Sequence, residues 1–113
     1  MANKYNAKKT EVDGIVFDSK RESEYYMKYR EMFVKGEIKN LQRQVKYTLM
    51  EAYTNGEGKK IRKMEYVADF VYEDLEGKTH VIDTKGVITD KFKLKKKIFD
   101  YKYYPLYIEI VKW

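Results

Sequence analysis

The stretch MEYVADFVYEDLEGKTHVIDTK, residues 64–85, reads as two strands joined by a tight turn at Glu76-Gly77. Apolar residues occupy neighbouring positions on both arms: Phe70, Val71 and Tyr72 before the turn, Val81 and Ile82 after it. Successive strand residues point to opposite faces, so consecutive apolar residues mean burial on both sides. The alternation predicts Val67, Val71 and Val81 on one face and Phe70, Tyr72 and Ile82 on the other. A sheet covered on both faces needs a layer above and a layer below. The hairpin therefore predicts an α/β fold, a small sandwich with helices on both faces of the sheet.

The flanking segments supply those layers. Ser19 followed by Glu22 fits a capping box, and Tyr25, Tyr26, Tyr29, Met32 and Phe33 follow at helical spacing, with Gly36 as the stop. Residues 40–53 alternate as a strand, with Leu41, Val45, Tyr47 and Leu49 on one face and Gln42, Gln44, Lys46 and Thr48 on the other. Asn55-Gly56-Glu57-Gly58 is a hairpin turn. After Lys85, Thr89 or Asp90 caps a second helix that ends near Tyr104, before Pro105. Leu106 to Lys112 alternates as a last strand. The order is helix, three antiparallel strands, helix, strand, or αβββαβ. Residues 1–13 have no periodicity and read as a basic flexible arm ending at Asp13-Gly14. Residues 14–113 read as a single domain, opening on a short apolar edge strand, Ile15-Val16-Phe17.

Composition narrows the chemistry. One hundred and thirteen residues make one domain. With no Cys, disulfide scaffolds, thiolate metal sites and thiol nucleophiles are excluded. A single His argues against histidine metal centres and Ser/His/Asp triads, and His80 reads as a structural partner of Tyr72. MANKYNAKK has no apolar leader-like core, and no apolar run reaches membrane-spanning length, so the expected location is the cytoplasm, with no membrane partner. The net charge of +6 makes nucleic acid the first partner to consider. Lys91, Lys93, Lys95, Lys96 and Lys97 crowd the second helix and are candidates for phosphate contact, although a solvated face is the plainer account. That helix carries two apolar stripes, Leu94-Ile98-Tyr101 as the inner one and Phe92-Phe99-Tyr103 nearly opposite. The second is a candidate surface for a homodimer.

Catalysis, if present, must rest on Asp, Glu and Lys. Asp83 and Lys85 are two apart on a strand and share a face. Asp69 joins them only in one register: with Asp74 opposite Lys78, Asp69 lies opposite Asp83, whereas a one-residue slip puts it opposite Thr84. The apolar pattern leaves both registers open. In the first, clustered carboxylates call for a cation, and hard oxygen donors suit Mg²⁺. Against this stands the ordinary occurrence of Asp/Lys pairs on solvated strands. Glu22 tips the balance, because at 100° per residue it lies on the stripe facing the sheet, whereas Glu24 lies on the solvent side. Gln44 by itself reads as a polar residue on a half-exposed strand.

Phe17-Asp18-Ser19-Lys20-Arg21-Glu22, Gln44-Val45, Tyr66-Val67-Ala68-Asp69-Phe70 and Val81-Ile82-Asp83-Thr84-Lys85-Gly86 together resemble the PD-(D/E)XK nuclease superfamily. More narrowly they resemble a small phage and prophage family described as Holliday-junction-resolvase-like. The similarity runs from about residue 14 to residue 113. It implies a restriction-endonuclease-like αβββαβ core with a mixed sheet between helices, and a phage-encoded DNA endonuclease acting in a bacterial host on branched DNA. It also implies Mg²⁺, with Mn²⁺ as a substitute, held by Asp69, Asp83 and Glu22. Lys85 would help activate water, and Gln44 would stand near the metal or substrate. Ala68 departs from the Pro of the nominal motif, a position without a chemical role. The competing expectation is a non-catalytic phage accessory factor of the same fold that binds nucleic acid or protein.

Overall fold

A computed structural model describes residues 9–113. Among these residues the protein is α/β with ten elements: β1 (Thr10–Val12), β2 (Ile15–Phe17), α1 (Lys20–Val34), β3 (Lys39–Met50), β4 (Tyr53–Thr54), β5 (Lys60–Ile61), β6 (Met64–Glu73), β7 (Thr79–Lys85), α2 (Asp90–Lys102) and β8 (Ile108–Lys112). The main sheet has the order β3-β6-β7-β8. Its first three strands are antiparallel, and β8 pairs parallel to β7 after the α2 crossover. The sheet is therefore mixed, as expected. Thr10–Val12 pairs with Ile15–Phe17 around Asp13-Gly14, so the last part of the expected arm is a hairpin. Both turn residues adopt positive φ, which lets the chain reverse in two residues. The rest of the expected arm, residues 1–8 with Lys4 and Lys8, lies outside the described residues.

The helix signals work as local chemistry. Ser19 caps α1, its hydroxyl accepting from Glu22 N at 3.2 Å. At the other end Gly36 takes φ +75, and Glu37 N and Gly36 N donate to Met32 O and Phe33 O. That pair of bonds is a Schellman motif. Thr89 caps α2 by accepting from Phe92 N.

The two faces carry separate cores. Tyr26 and Tyr29 of α1 pack with Phe17, Ile38, Phe70 and Ile82. Phe92 and Phe99 of α2 pack with Tyr66, Ala68, Val71, Val81 and Ile108. The helices thus cover opposite faces. The expected roles of the α2 stripes are largely exchanged: Phe92 and Phe99 are buried, whereas Leu94 and Tyr101 are exposed and, of the expected inner stripe, Ile98 packs against the core. The face offered to a second copy is in fact core, because aromatic rings fill the space over the sheet that Leu94 was expected to fill. Phe33, expected on the inner stripe of α1, is likewise exposed.

Simple alternation fails at one place. Leu41 and Arg43 lie on the α1 side, but Val45 and Leu49 lie on the α2 side. In β6, Tyr66 and Ala68 face α2 while Phe70 and Tyr72 face α1. Both strands change parity at the same level, around Gln44 and Asp69. Gln44 adopts φ +51, a left-handed conformation that rotates the chain. Because the partner strand turns with it, the β3–β6 register keeps one offset on both sides: Arg43 faces Phe70 and Val45 faces Ala68. Val67 consequently leaves the face of Val71 and Val81 and is 38% exposed.

Candidate functional site

The register is the one in which Asp74 faces Lys78, its N–H donating to Lys78 O at 2.8 Å. The β6–β7 ladder runs from Glu73↔Thr79 to Phe70↔Ile82 and stops there. Asp69 takes over where it stops. Its Oδ2 accepts from Thr84 N at 2.8 Å and from Thr84 Oγ1 at 2.9 Å. A side chain replaces the missing ladder bond, so the split between the strands leaves no orphaned amide.

Asp83 follows Val81 onto the α2 side and is only 2% exposed. Tyr66 holds its Oδ2 with a 2.7 Å hydrogen bond, a contact created by the parity change in β6. Asp83 Oδ1 lies 3.2 Å from Lys85 Nζ but has no well-oriented hydrogen bond. The Lys85 ammonium sits 4.5 Å from the Phe92 ring centroid. Burial pushes the Asp83 carboxyl up, the Tyr66 hydroxyl opposes this, Asp69 adds to it, and Lys85 opposes it. Tyr66 itself is driven far up by burial and then by the Asp83 charge, so it donates as a neutral phenol.

Glu22 reaches the same end of the sheet from the α1 side. It lines a narrow recess with Phe17, Arg43, Gln44, Asp69 and Phe70. Its carboxyl is raised by burial first, then by Asp69 and Asp18, with Arg43 opposing and Asp83 adding a further push. The site thus straddles the sheet end: Glu22, Gln44 and Asp69 gather in the recess, Asp83 and Lys85 on the α2 side. Among the described residues, no group of three or more acidic or histidine side chains is arranged to hold a metal.

A cleft of about 290 Å³ opens over Asp83 and Lys85, bounded by Tyr66, Val67, Lys91 and Lys95. This divides the five lysines. Lys91 and Lys95 face the cleft, with Lys95 Nζ anchored on Glu65 O at 2.8 Å. Lys96 pairs with Asp100, Lys93 lies 3.9 Å from Asp90, and Lys97 is exposed away from the cleft.

Three contributors escape a reading by residue type. Tyr66 and Thr84 act by fixing the two aspartates, and Arg43 brings a cation to the recess, its guanidinium 4.6 Å from the Phe17 ring centroid. Tyr66 and Thr84 stand inside the motif segments, but their roles depend on the parity change. His80 pairs with Tyr72 as expected and stacks on it at 4.9 Å. It also lies between Asp74 and Glu109, with its Nε2 2.9 Å from Asp74 and its Nδ1 2.6 Å from Glu109.

No helix among the described residues is long and apolar enough to cross a membrane. A family model described as "Protein of unknown function (DUF1064)" matches residues 2–113. No curated protein and no solved structure matches the chain.

Proposed function

The chain belongs to the DUF1064 family, and on that premise we propose that it is a Mg²⁺-dependent endodeoxyribonuclease of phage origin acting on branched DNA. The order α1-β3-β6-β7-α2-β8 and the mixed sheet are compatible with a restriction-endonuclease-like core. The observation that carries the reading is the state of Asp83. A carboxylate almost wholly buried at the floor of the cleft, with one oxygen lacking a hydrogen bond and a lysine beside it, is costly as mere structure.

The donor set suits Mg²⁺ in chemistry. Asp69 and Asp83 each spend Oδ2 on protein partners, and their other oxygens, with Glu22, would hold the ion. When bound, Mg²⁺ supplies charge neutralisation at the attacked phosphate and a more acidic water. The protein does the rest. Tyr66 and Thr84 hold the aspartates in place. Lys85 orients the attacking water and offsets charge on the phosphorane. Lys91 and Lys95 hold the strand over the cleft. Attack forms the water-oxygen–phosphorus bond and breaks the bond to the 3′ oxygen, leaving 5′-phosphate and 3′-hydroxyl ends.

Asp69 is committed to Thr84, and no ready three-residue metal group exists among the described residues. These facts favour a second reading, a non-catalytic nucleic-acid- or protein-binding accessory factor. Incubation with Mg²⁺ or Mn²⁺ and a panel of duplex, flap and four-way-junction DNAs separates the two. Cleavage by wild type, absent in Asp83→Asn and Lys85→Ala, is expected. Binding by wild type without any cut would transfer the protein to the second reading.

A further inference from the structure

Trp113 lies against the strand that carries Asp83 and Lys85. Parallel pairing of Lys85 with Lys112 brings it there, and Trp113 N donates to Lys85 O at 3.1 Å. The indole crosses Gly86 so closely that a Cβ at 86 would stand 2.8 Å from Nε1 and 3.1 Å from Cε2. Glycine at 86 is what admits the ring. The Tyr25 ring centroid is 6.1 Å away, and the Arg21 guanidinium carbon is 5.9 Å from the indole centroid. Next to these, Arg21, Glu24, Tyr25 and Lys28 line a cleft of about 240 Å³.

Trp113 keeps 43% of its surface exposed beside the Arg21 guanidinium, and Lys28 and the Glu24 carboxylate line the adjoining cleft. Arg21 adjoins Glu22 and Gly86 adjoins Lys85, so this aromatic and cationic surface borders the candidate active site from the α1 side. A flat π-face with a guanidinium beside it and an ammonium in the adjoining cleft matches a nucleotide, with its base stacked and its phosphates on the cations. Bases in an intact duplex are stacked on each other and cannot reach it.

We propose that Trp113, with Tyr25 and Arg21, is a stacking platform for an unpaired base of DNA, with Arg21 and Lys28 taking the adjoining phosphates. This deepens the nuclease reading and rests on it for the strand's role. It names the substrate class as DNA with unpaired bases next to the cut.

Trp113 is the chain's single Trp, so intrinsic tryptophan fluorescence reports on this position alone. The full chain would be titrated in EDTA with oligothymidylate and with a blunt duplex of equal length, so that no cleavage intervenes. Saturable quenching by the single strand, and little by the duplex, is expected. In anisotropy measurements with labelled oligothymidylate, Trp113→Ala and Arg21→Ala should each weaken binding by about tenfold, while Trp113→Phe retains part of the affinity. Binding without quenching, equal quenching by duplex, or no binding at all would overturn the platform. So would wild-type affinity in Arg21→Ala, a surface change that leaves the core intact and serves if Trp113→Ala fails to fold. Quenching by single strands in a protein that cuts no DNA would keep the platform and remove the nuclease. Cleavage with unaltered binding by Trp113→Ala would do the reverse.

Discussion

Under the proposed nuclease reading, Asp83 is the residue where stability and activity would conflict. Its charge is held out of water by Tyr66 and the α2 aromatics, and Lys85 is its nearest cation. Asp83→Asn removes that buried charge while keeping the shape. It is expected to stay within about 1 kcal/mol of wild type in denaturant unfolding, while losing on the order of 100-fold or more in cleavage rate. Unchanged cleavage would remove Asp83 from the mechanism. Tyr66→Phe behaves differently. It deletes a hydrogen bond to a buried carboxylate and should cost about 1.5–3 kcal/mol, measured by the same unfolding experiment. A loss within error would mean that the 2.7 Å contact contributes nothing.

At the scale of elements, the parity change between β3 and β6 lets one sheet end serve both faces. It aims Arg43 at the α1 side and Tyr66 at the α2 side, and it leaves Asp69 between strands to capture Thr84. Gln44 carries the backbone strain of that turn at φ +51. Gln44→Gly should raise stability by about 0.5–1 kcal/mol, and Gln44→Val should lower it by about 1–2 kcal/mol. Chemical denaturation of the pair checks this, and a stabilising Val would contradict the left-handed conformation. The β7–β8 pairing carries a pH-sensitive tie. Burial pulls the His80 imidazole down, but the hydrogen bonds to Asp74 and Glu109 outweigh it, so the net shift is upward. A histidine whose folded value is raised contributes its full stability below the ordinary unfolded value, and that contribution is lost as pH rises through the folded value. Denaturant midpoints should therefore fall as pH is raised from about 6 to about 8, around the ordinary histidine value. His80→Gln should flatten that part of the profile, and a profile as steep as wild type would exclude His80 as its source.

For the whole molecule, the net charge of +6 makes any DNA affinity steeply salt-dependent. The structure sorts the α2 lysines, so single substitutions should not act alike. Lys91→Ala, at the cleft, should reduce the slope of log affinity against log salt by about 1. Lys93→Ala, on the outer side, should leave it nearly unchanged. Equal effects in a salt series of anisotropy titrations would show that the cleft is not the path of the strand. Core placement also changes the expectation for self-association. With Phe92 and Phe99 buried, the apolar residues left outside on α2 are Leu94 and Tyr101, set among lysines whose like charges oppose a symmetric contact.

Much of the architecture was legible in the chain because it is written in local chemistry. Caps at Ser19 and Thr89, the reversals at Asp13-Gly14 and Glu76-Gly77, and the doubly apolar strands require no knowledge of the rest of the molecule. They were enough to place both helices and the main strands, whereas the parallel pairing of the last strand with β7 is a tertiary fact. Glu22 was also legible, since helical periodicity alone turns it toward the sheet. The register of Asp69 against Asp83 was not, because Val71 and Val81 offer apolar partners in either alignment. The inner stripe of α2 was not legible either, because two apolar faces of one helix look alike until one of them meets the sheet. The parity change at Gln44 and Asp69 is the deepest of these decisions. It requires two strands distant in sequence to turn together, and only their pairing lets the register keep the same offset on both sides of that turn.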